Sequence, residues 1–200
     1  MSDDLTFTGE RFVPGVGGEI VYEHVHRYAF ARRYADGKRV LDAACGEGYG
    51  SALLATVARE VTGVDIDEPT IAHARQTYQA IGNLTFVKGS ATELPLPDAS
   101  VDRVLSSLML HHLDEDERGR ALREVRRVLR PGGQLHVVDI DGGPARRSSR
   151  GGRMHRHPLV AASTPERLLA ALREAGLTAV AENGRQRTRF GACAFYRAER

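Results

Sequence analysis

Short apolar runs alternate with amphipathic stretches along most of the chain. A continuous apolar run is typical of a buried parallel strand, whereas apolar positions three and four apart are typical of a helix packed on a core. The apolar runs predict strands over 38–44, 60–65, 84–87, 101–107, 135–140, 178–182 and 190–196. The amphipathic stretches predict helices over 20–34 and 51–57, from Asp67 to Gly82, from Asp114 to Pro131 and from Ser163 to Gly176.

The order of these elements predicts one α/β domain. Strand and helix alternate, which builds a mostly parallel sheet between two helical layers, a three-layer sandwich. The short connection between the last two strands makes them antiparallel to each other. We therefore divide the chain into an N-terminal arm and lid helix over 1–37 and a single globular domain over 38–200.

Composition narrows the class of protein. The 200 residues are 42% hydrophobic and carry a formal net charge of +2, which gives no overall attraction to nucleic acid or to an anionic membrane. The 2 cysteines are too few for a disulfide framework or a zinc cluster, and no apolar run approaches the length of a membrane span. We expect a cytoplasmic protein, a monomer or homodimer, with no metal site and no membrane contact.

The segment 40–50 carries the clearest chemistry. Its strand ends in a turn with glycines at alternate positions, Gly46, Gly48 and Gly50, and a helix follows. Glycine lets the backbone approach a ligand closely, and the free N–H groups of the helix face the same point. The next strand ends in Asp65, at the spacing of the acidic residue that accepts hydrogen bonds from ribose hydroxyls. These features predict a site for a nucleotide-like ligand.

Two cofactors fit the turn and the acidic residue, NAD and S-adenosylmethionine. A dinucleotide site needs a third glycine where this chain has Ser51. A sulfonium cation with a free ammonium group suits the carboxylate of Asp42, four residues before Gly46, better than a pyrophosphate does. These details favour S-adenosylmethionine.

A set of motifs resembles, in order and spacing, those of class I S-adenosylmethionine-dependent methyltransferases. The motifs are Val40 to Gly50, Gly63-Val64-Asp65, Gly89-Ser90-Ala91, Leu94-Pro95-Leu96-Pro97-Asp98 with Val101-Asp102, and Leu129-Arg130-Pro131-Gly132-Gly133. The similarity is closest to the small-molecule type of ubiquinone and menaquinone biosynthesis, a methyltransferase type 11 domain. It implies a Rossmann-like, mostly parallel seven-stranded sheet with an antiparallel last strand.

The same resemblance implies an activity. The enzyme would transfer the methyl group of S-adenosylmethionine to an oxygen, nitrogen or carbon nucleophile of a small-molecule acceptor, leaving S-adenosylhomocysteine. Two other functions remain open on the sequence. A nucleic-acid methyltransferase is suggested by the arginines over 146–156, although Ser106-Ser107-Leu108-Met109 lacks the Pro-Pro-aromatic element expected for base amino groups. The third is a protein of this fold that binds the cofactor without methylating.

Cofactor contacts follow from the resemblance position by position. Asp42 and Gly46 would line the methionine part of the cofactor, Asp65 its ribose, and the backbone at Ser107 and Leu108 its amino group. This chain has a serine where the family has an aspartate for the adenine amino group, so adenine recognition falls to neighbouring residues. The full set predicted is Arg27, Tyr28, Asp42, Ala44, Gly46, Gly48, Asp65, Ile66, Ser90, Ala91, Thr92, Ser107 and Leu108.

Acceptor and catalytic residues are predicted from three segments outside the glycine turn. His111 and His112 follow the fourth strand, where a neutral histidine could deprotonate the attacking atom or could anchor the turn. The first helix could close over the cofactor, with Arg27 on its carboxylate, and the arginine-rich segment could hold an anionic substrate. The predicted catalytic residues are His111 and His112, and the predicted substrate-binding residues are His24, His112, Arg146 and Arg147.

Overall fold

A computed structural model describes residues 19–142, 159–160, 163–188 and 191–200, with the side chains of 27–142, 159–160, 163–186 and 192–200. The strands are β1 Arg39–Ala43, β2 Glu60–Asp65, β3 Leu84–Lys88, β4 Val101–Ser107, β5 Leu129–Ile140, β6 Thr178–Thr188 and β7 Gly191–Glu199. The helices are α1 Glu19–Ala35, α2 Tyr49–Ala55, α3 Glu68–Thr77, α4 Glu115–Val128 and α5 Pro165–Glu174, with a short 3-10 helix over Leu110–His112.

The strands form one seven-stranded sheet in the order β3-β2-β1-β4-β5-β7-β6. β7 runs antiparallel to both of its neighbours, β5 and β6, and the remaining pairs are parallel. The predicted fold, a mostly parallel sheet with an antiparallel last strand, is confirmed.

Alternate residues of each strand point to opposite faces of the sheet, and each face has its own helices. Leu41 of β1 packs in the cluster that contains Leu122 of α4 and Leu168 of α5. Its neighbour Val40 packs on the other face with Leu54 of α2. α1 also lies on the α2 face, and none of the helices in the described ranges is long and apolar enough to cross a membrane.

Local sequence signals set the helix starts. Asp67 caps α3 by accepting a hydrogen bond from the Thr70 backbone. Asp114 and Glu117 form a complete capping box at the start of α4, as the sequence predicts. Thr164 caps α5 by accepting a hydrogen bond from the Arg167 backbone.

Several element boundaries differ from those predicted: α3 ends at Thr77 instead of Gly82, and α4 ends at Val128 instead of Pro131. α2 begins at Tyr49, two residues early, because Gly48 takes a left-handed conformation that ends the turn there. β5 begins at Leu129 instead of the predicted 135 and includes Gly132, whose φ is positive and whose N–H donates to the Arg200 carbonyl. The closing strands β6 and β7 extend beyond the predicted 178–182 and 190–196, since they pair with each other along most of their length.

Candidate functional site

The sheet order creates a crevice at the carboxyl ends of β1 and β4. The chain leaves β1 towards β2 and β3 on one side, and β4 returns on the other side of β1. The segments that follow β1 and β4 therefore diverge, which is where open α/β sheets bind ligands.

The glycine turn lies at the β1 side of this crevice. Ala44, Gly46 and Gly48 have φ values of 62°, 53° and 80°. The turn is fixed to β2 by a hydrogen bond from the Cys45 N–H to the Val64 carbonyl, 3.0 Å. Positive φ at Ala44, which has a side chain, costs free energy, and strain of this kind is often found at binding sites. The backbone is thus held in the open conformation that the sequence predicts for a ligand turn.

Asp65 ends β2 next to the turn, and its carboxylate is fixed by the backbone. One oxygen accepts from the Gly46 N–H at 2.9 Å and the other from the Asp67 N–H at 3.0 Å. A carboxylate has about four lone-pair positions, so these two bonds leave capacity for hydroxyl donors. Ile66 follows, and 69% of its surface is exposed. An oriented carboxylate and an exposed apolar side chain thus lie side by side.

Asp42, which is predicted to line the methionine part of the ligand, is hydrogen-bonded to side chains of α1 and α2. It is fully buried, and its oxygens accept from the Ser51 hydroxyl at 2.6 Å and the Tyr28 hydroxyl at 3.1 Å. Burial raises its pKa from 3.8 to about 6, against the lowering effect of these hydrogen bonds. Asp42 therefore holds the turn and α2 to α1 from below.

The segment after β3 is also braced internally. The hydroxyls of Ser90 and Thr92 lie 2.7 Å apart, and the Thr92 N–H donates to the Ser90 hydroxyl. Ala91 lies between them, and all three residues are partly exposed. Ser90 is predicted to bind the cofactor, and Ala91 and Thr92, like Ile66, are predicted to recognise its adenine.

The β4 side of the crevice carries the predicted Ser107 and Leu108. The Ser107 hydroxyl accepts from Arg27 Nε at 3.2 Å, so α1 reaches the end of β4. Leu108 has φ 56° and its N–H donates to the Val138 carbonyl. Arg27 is 9% exposed, and no ion pair joins it to a carboxylate among the described side chains.

Tyr28 is buried beneath the glycine turn. A Cβ added at Gly50 would lie 2.3 Å from the Tyr28 ring, so this glycine is required for α1 and α2 to pack. Burial and the Asp42 carboxylate hold the pKa of Tyr28 well above its ordinary value of 10.0. With its hydroxyl on Asp42, Tyr28 supports the turn from the α1 side.

The two adjacent histidines have different environments. His111 is buried, and its Nδ1 lies 2.5 Å from a carboxylate oxygen of Asp139 in β5. The His111 N–H donates to the other oxygen of Asp139, so the pair anchors the 3-10 helix to the sheet. His112 is exposed, and its ring centre is 4.0 Å from that of His111.

Asp139 was missed by the sequence argument, although a signal was present. It is the one carboxylate inside the predicted apolar strand 135–140, and it is fully buried. A buried carboxylate needs hydrogen-bond partners, and the histidines after the neighbouring strand were the nearest candidates.

Some predicted residues lie outside the described part of the chain. Arg146, Arg147 and the rest of the arginine-rich segment 146–156 fall outside it, and of His24 only the backbone, within α1, is described. Within the described residues no group of three metal-binding side chains comes together.

A cavity of about 570 Å³ adjoins the crevice on the α1 face of the sheet. We call it the α1 groove. It begins at Arg27 and Ser107 and is lined by α1 and by the facing strands β4, β5, β6 and β7. None of the residues of the glycine turn lines the groove. Its walls come from five separate elements, so no local sequence motif predicts it.

Comparisons with known proteins agree with this architecture. A methyltransferase domain model matches residues 41–137. A probable S-adenosylmethionine-dependent methyltransferase of Mycolicibacterium smegmatis is 43% identical over 135 residues, 66% of this chain and 51% of that protein. The 27-O-demethylrifamycin SV methyltransferase of Amycolatopsis mediterranei is 39% identical over 108 residues, 52% of this chain and 39% of that protein.

The fold comparison gives the same result. An S-adenosylmethionine-dependent methyltransferase from Aquifex aeolicus matches with a TM-score of 0.65 at 19% identity, over 88% of this chain and 87% of that chain. This chain spans about half the length of the mycobacterial relative. The matched motifs, the sheet order and the glycine turn agree with these comparisons: residues 41–137 form a methyltransferase domain, which is similar to that of S-adenosylmethionine-dependent methyltransferases.

Proposed function

We propose that the protein binds S-adenosylmethionine in the crevice and transfers its methyl group to an oxygen of a small-molecule acceptor. The observation that carries the proposal is the glycine turn at the end of β1, which holds the Asp65 carboxylate through the Gly46 N–H. The rifamycin relative, named for O-methylation of a small molecule, supports an oxygen acceptor.

The residues around the crevice fit each chemical part of the cofactor. Asp65 offers a fixed acceptor for ribose hydroxyls, and exposed Ile66 offers an apolar surface for adenine. Arg27 offers a guanidinium for the cofactor carboxylate. The backbone at Leu108, held to β5, would meet the methionine amino group.

Five further predicted cofactor residues divide into two groups. Ala44, Gly46 and Gly48 would let the backbone approach the methionine part, because the glycines have no Cβ and the Ala44 side chain packs against the core. Asp42 and Tyr28 would act from below, as positioning residues that hold this turn.

Methyl transfer then depends on alignment more than on acid–base chemistry. When bound, S-adenosylmethionine supplies an electrophilic methyl group on a positively charged sulfur, which leaves as a neutral thioether. Holding an acceptor oxygen in line with that methyl group supplies most of the acceleration, since effective molarities reach about 10⁵–10⁸ M. His112 would accept the proton that an acceptor hydroxyl loses, and the His111–Asp139 pair would position it.

The proposal also covers the cellular compartment and the oligomeric state. We expect the protein in the cytoplasm, because its 2 cysteines, Cys45 and Cys193, are too few for the disulfide framework of a small secreted protein. We expect a monomer or homodimer, to be measured by light scattering.

Labelled methyl transfer tests this function. The protein is incubated with methyl-labelled S-adenosylmethionine and a deproteinised small-molecule extract. We expect label in small molecules with the wild type and with the control Asp36→Asn, an exposed aspartate after α1, and little label with Asp65→Asn. A protein that binds S-adenosylhomocysteine yet labels nothing would support the non-methylating alternative, and label in added RNA or DNA would support the nucleic-acid alternative.

A further inference from the structure

We propose that the acceptor is an apolar hydroxy acid that lies in the α1 groove, with its carboxylate against Arg33 and its hydroxyl at the crevice. This inference rests on the proposed function, because it assigns a substrate class to the methyl transfer. It is carried by the position, walls and charge of the groove.

The groove begins where the methyl donor would end. Arg27 and Ser107 lie at its mouth, beside the crevice. α1 then runs along the groove away from the crevice, so that Arg33 and Tyr34 line its far part. Six residues separate Arg27 from Arg33, which is about 9 Å along a helix axis. A ligand lying in the groove therefore has one end at the crevice and the other at Arg33.

The walls of the groove are aromatic and aliphatic. Tyr34 of α1 stacks on His136 of β5 with ring centres 4.2 Å apart, and Phe30 faces Phe195 of β7 at 6.2 Å. Phe30 is 42% exposed, although large apolar side chains are usually covered. Such walls favour a ligand with an apolar body, as in most small-molecule sites.

The charge of the groove has one sign. Among the described residues, three arginines and no aspartate or glutamate line it. Arg185 is neutralised by Glu182 at 2.6 Å and Asp141 at 3.0 Å. Arg27 and Arg33 form no ion pair with any described carboxylate. Since Arg27 is proposed for the cofactor carboxylate, Arg33 is the cation left for the acceptor.

Arg33 is held in a geometry that suits a carboxylate. Its guanidinium carbon lies 3.4 Å from the centre of the Phe30 ring. Stacking occupies one face of the guanidinium and leaves the N–H groups at its edge available for paired hydrogen bonds. The nearby arginines also act on His136, whose pKa is lowered to about 4 by burial and by Arg103, Arg197 and Arg33. The far part of the groove thus has a positive potential that favours an anion.

The separation of the two ends decides which atom is methylated. A carboxylate at Arg33 is too far from the crevice to be the nucleophile, so a second group of the ligand must receive the methyl group. Because the proposed acceptor atom is oxygen, that group is a hydroxyl. The ligand class is therefore an apolar molecule with a hydroxyl at one end and a carboxylate at the other.

Probe binding tests the inference without any cofactor, so its result does not depend on the proposed function. The fluorescent probe anilinonaphthalene sulfonate carries an apolar body and an anion, and phenylnaphthylamine is its neutral counterpart. At pH 8 we expect the wild type to bind the anionic probe more tightly. Loss of the ion pair in Arg33→Gln should weaken that probe about 10-fold and leave the neutral one unchanged. Arg120→Gln, an exposed arginine of α4 on the opposite face of the sheet, should change neither.

A rigid hydroxy acid gives the second arm. Hydroxybiphenyl carboxylate should displace the anionic probe from the wild type about 10-fold better than hydroxybiphenyl, and Arg33→Gln should abolish this preference. Equal binding of charged and neutral ligands by the wild type would overturn the inference. So would a charge preference that survives in Arg33→Gln. Far-ultraviolet circular dichroism establishes that each variant is folded.

Discussion

At the scale of single residues, burial decides what a carboxylate does. Asp42 and Asp65 lie at the ends of neighbouring strands, yet Asp42 is fully buried on two hydroxyls while Asp65 is held by two backbone N–H groups at the crevice. Asp139 is buried too, and its oxygens accept from His111 and from the Ile140 N–H. In the proposed site, Asp65 would face the ligand, while Asp42 and Asp139 hold the surrounding structure in place.

The buried Asp42 predicts a pH dependence of stability. Its pKa is about 6 in the folded protein and near 3.8 when exposed, so the folded state binds its proton more tightly. Between pH 3.8 and about 6, Asp42 is ionised in the unfolded chain but still protonated in the folded protein. The contribution of Asp42 to the free energy of unfolding therefore falls by about 3 kcal/mol as pH rises through this range, and then levels off.

Asp42→Asn removes this titration and so isolates it. In urea titrations at fixed ionic strength, the unfolding free energy of the wild type minus that of Asp42→Asn should fall by about 3 kcal/mol as pH rises from about 4 to about 6. A difference that stays constant across this window would contradict the assignment of a raised pKa to Asp42.

The hydrogen bonds between His111 and Asp139 predict that replacing the Asp139 carboxylate lowers the stability of the protein. Asp139→Asn weakens the charge-assisted bond to the His111 ring and leaves buried donors poorly paired, which should lower the unfolding free energy by about 2–3 kcal/mol. Chemical denaturation measures it, with Asp36→Asn as an exposed control that should change little. If both variants lost the same small amount, the pair would not anchor the 3-10 helix.

At the scale of elements, α1 connects the two halves of the site. Tyr28 reaches Asp42 under the glycine turn, Arg27 reaches Ser107 at the end of β4, and Tyr34 reaches His136 in β5. α1 also forms one wall of the groove. A change in the packing of this helix should therefore affect both ligand regions.

Gly50→Ala tests the packing of α1 on α2. The added Cβ would lie 2.3 Å from the Tyr28 ring, so α1 must shift, at a cost of about 1–3 kcal/mol. Gly82→Ala is the matched control, because a Cβ there meets nothing within 4 Å. Thermal unfolding followed by circular dichroism should show a lower midpoint for the first variant alone. Equal midpoints would mean that α1 is not fixed by this contact.

The elements also show what sequence can predict. β2 over 60–65 and β4 over 101–107 match their predicted bounds, because each contains β-branched or aliphatic residues that are buried in the sheet, among them Val61, Val64, Val104 and Leu105. The predicted end of α4 at Pro131 and the predicted start of β5 at 135 are wrong, since α4 ends at Val128 and β5 runs from Leu129 through Gly132, where φ is positive. The direction in which Asp42 faces could not be predicted. It depends on Tyr28, which packing, and not sequence spacing, brings beneath the turn.

At the scale of the whole molecule, the sheet topology separates the cofactor crevice from the α1 groove. The crevice between β1 and β4 carries features common to the family, and its motifs made the fold and the cofactor predictable from sequence. The α1 groove takes residues from α1, β4, β5, β6 and β7, which lie far apart along the chain. In our proposal, the choice of acceptor rests on such long-range contacts, which no local sequence motif reveals.

We propose that the crevice binds S-adenosylmethionine through Asp65. Titration calorimetry with S-adenosylhomocysteine tests this binding. We predict one-to-one binding by the wild type and by Asp36→Asn, and binding about 10-fold to 100-fold weaker in Asp65→Asn, the range for losing a hydrogen bond to a charged group. Absence of any heat of binding in the wild type, or full affinity in Asp65→Asn, would contradict the account.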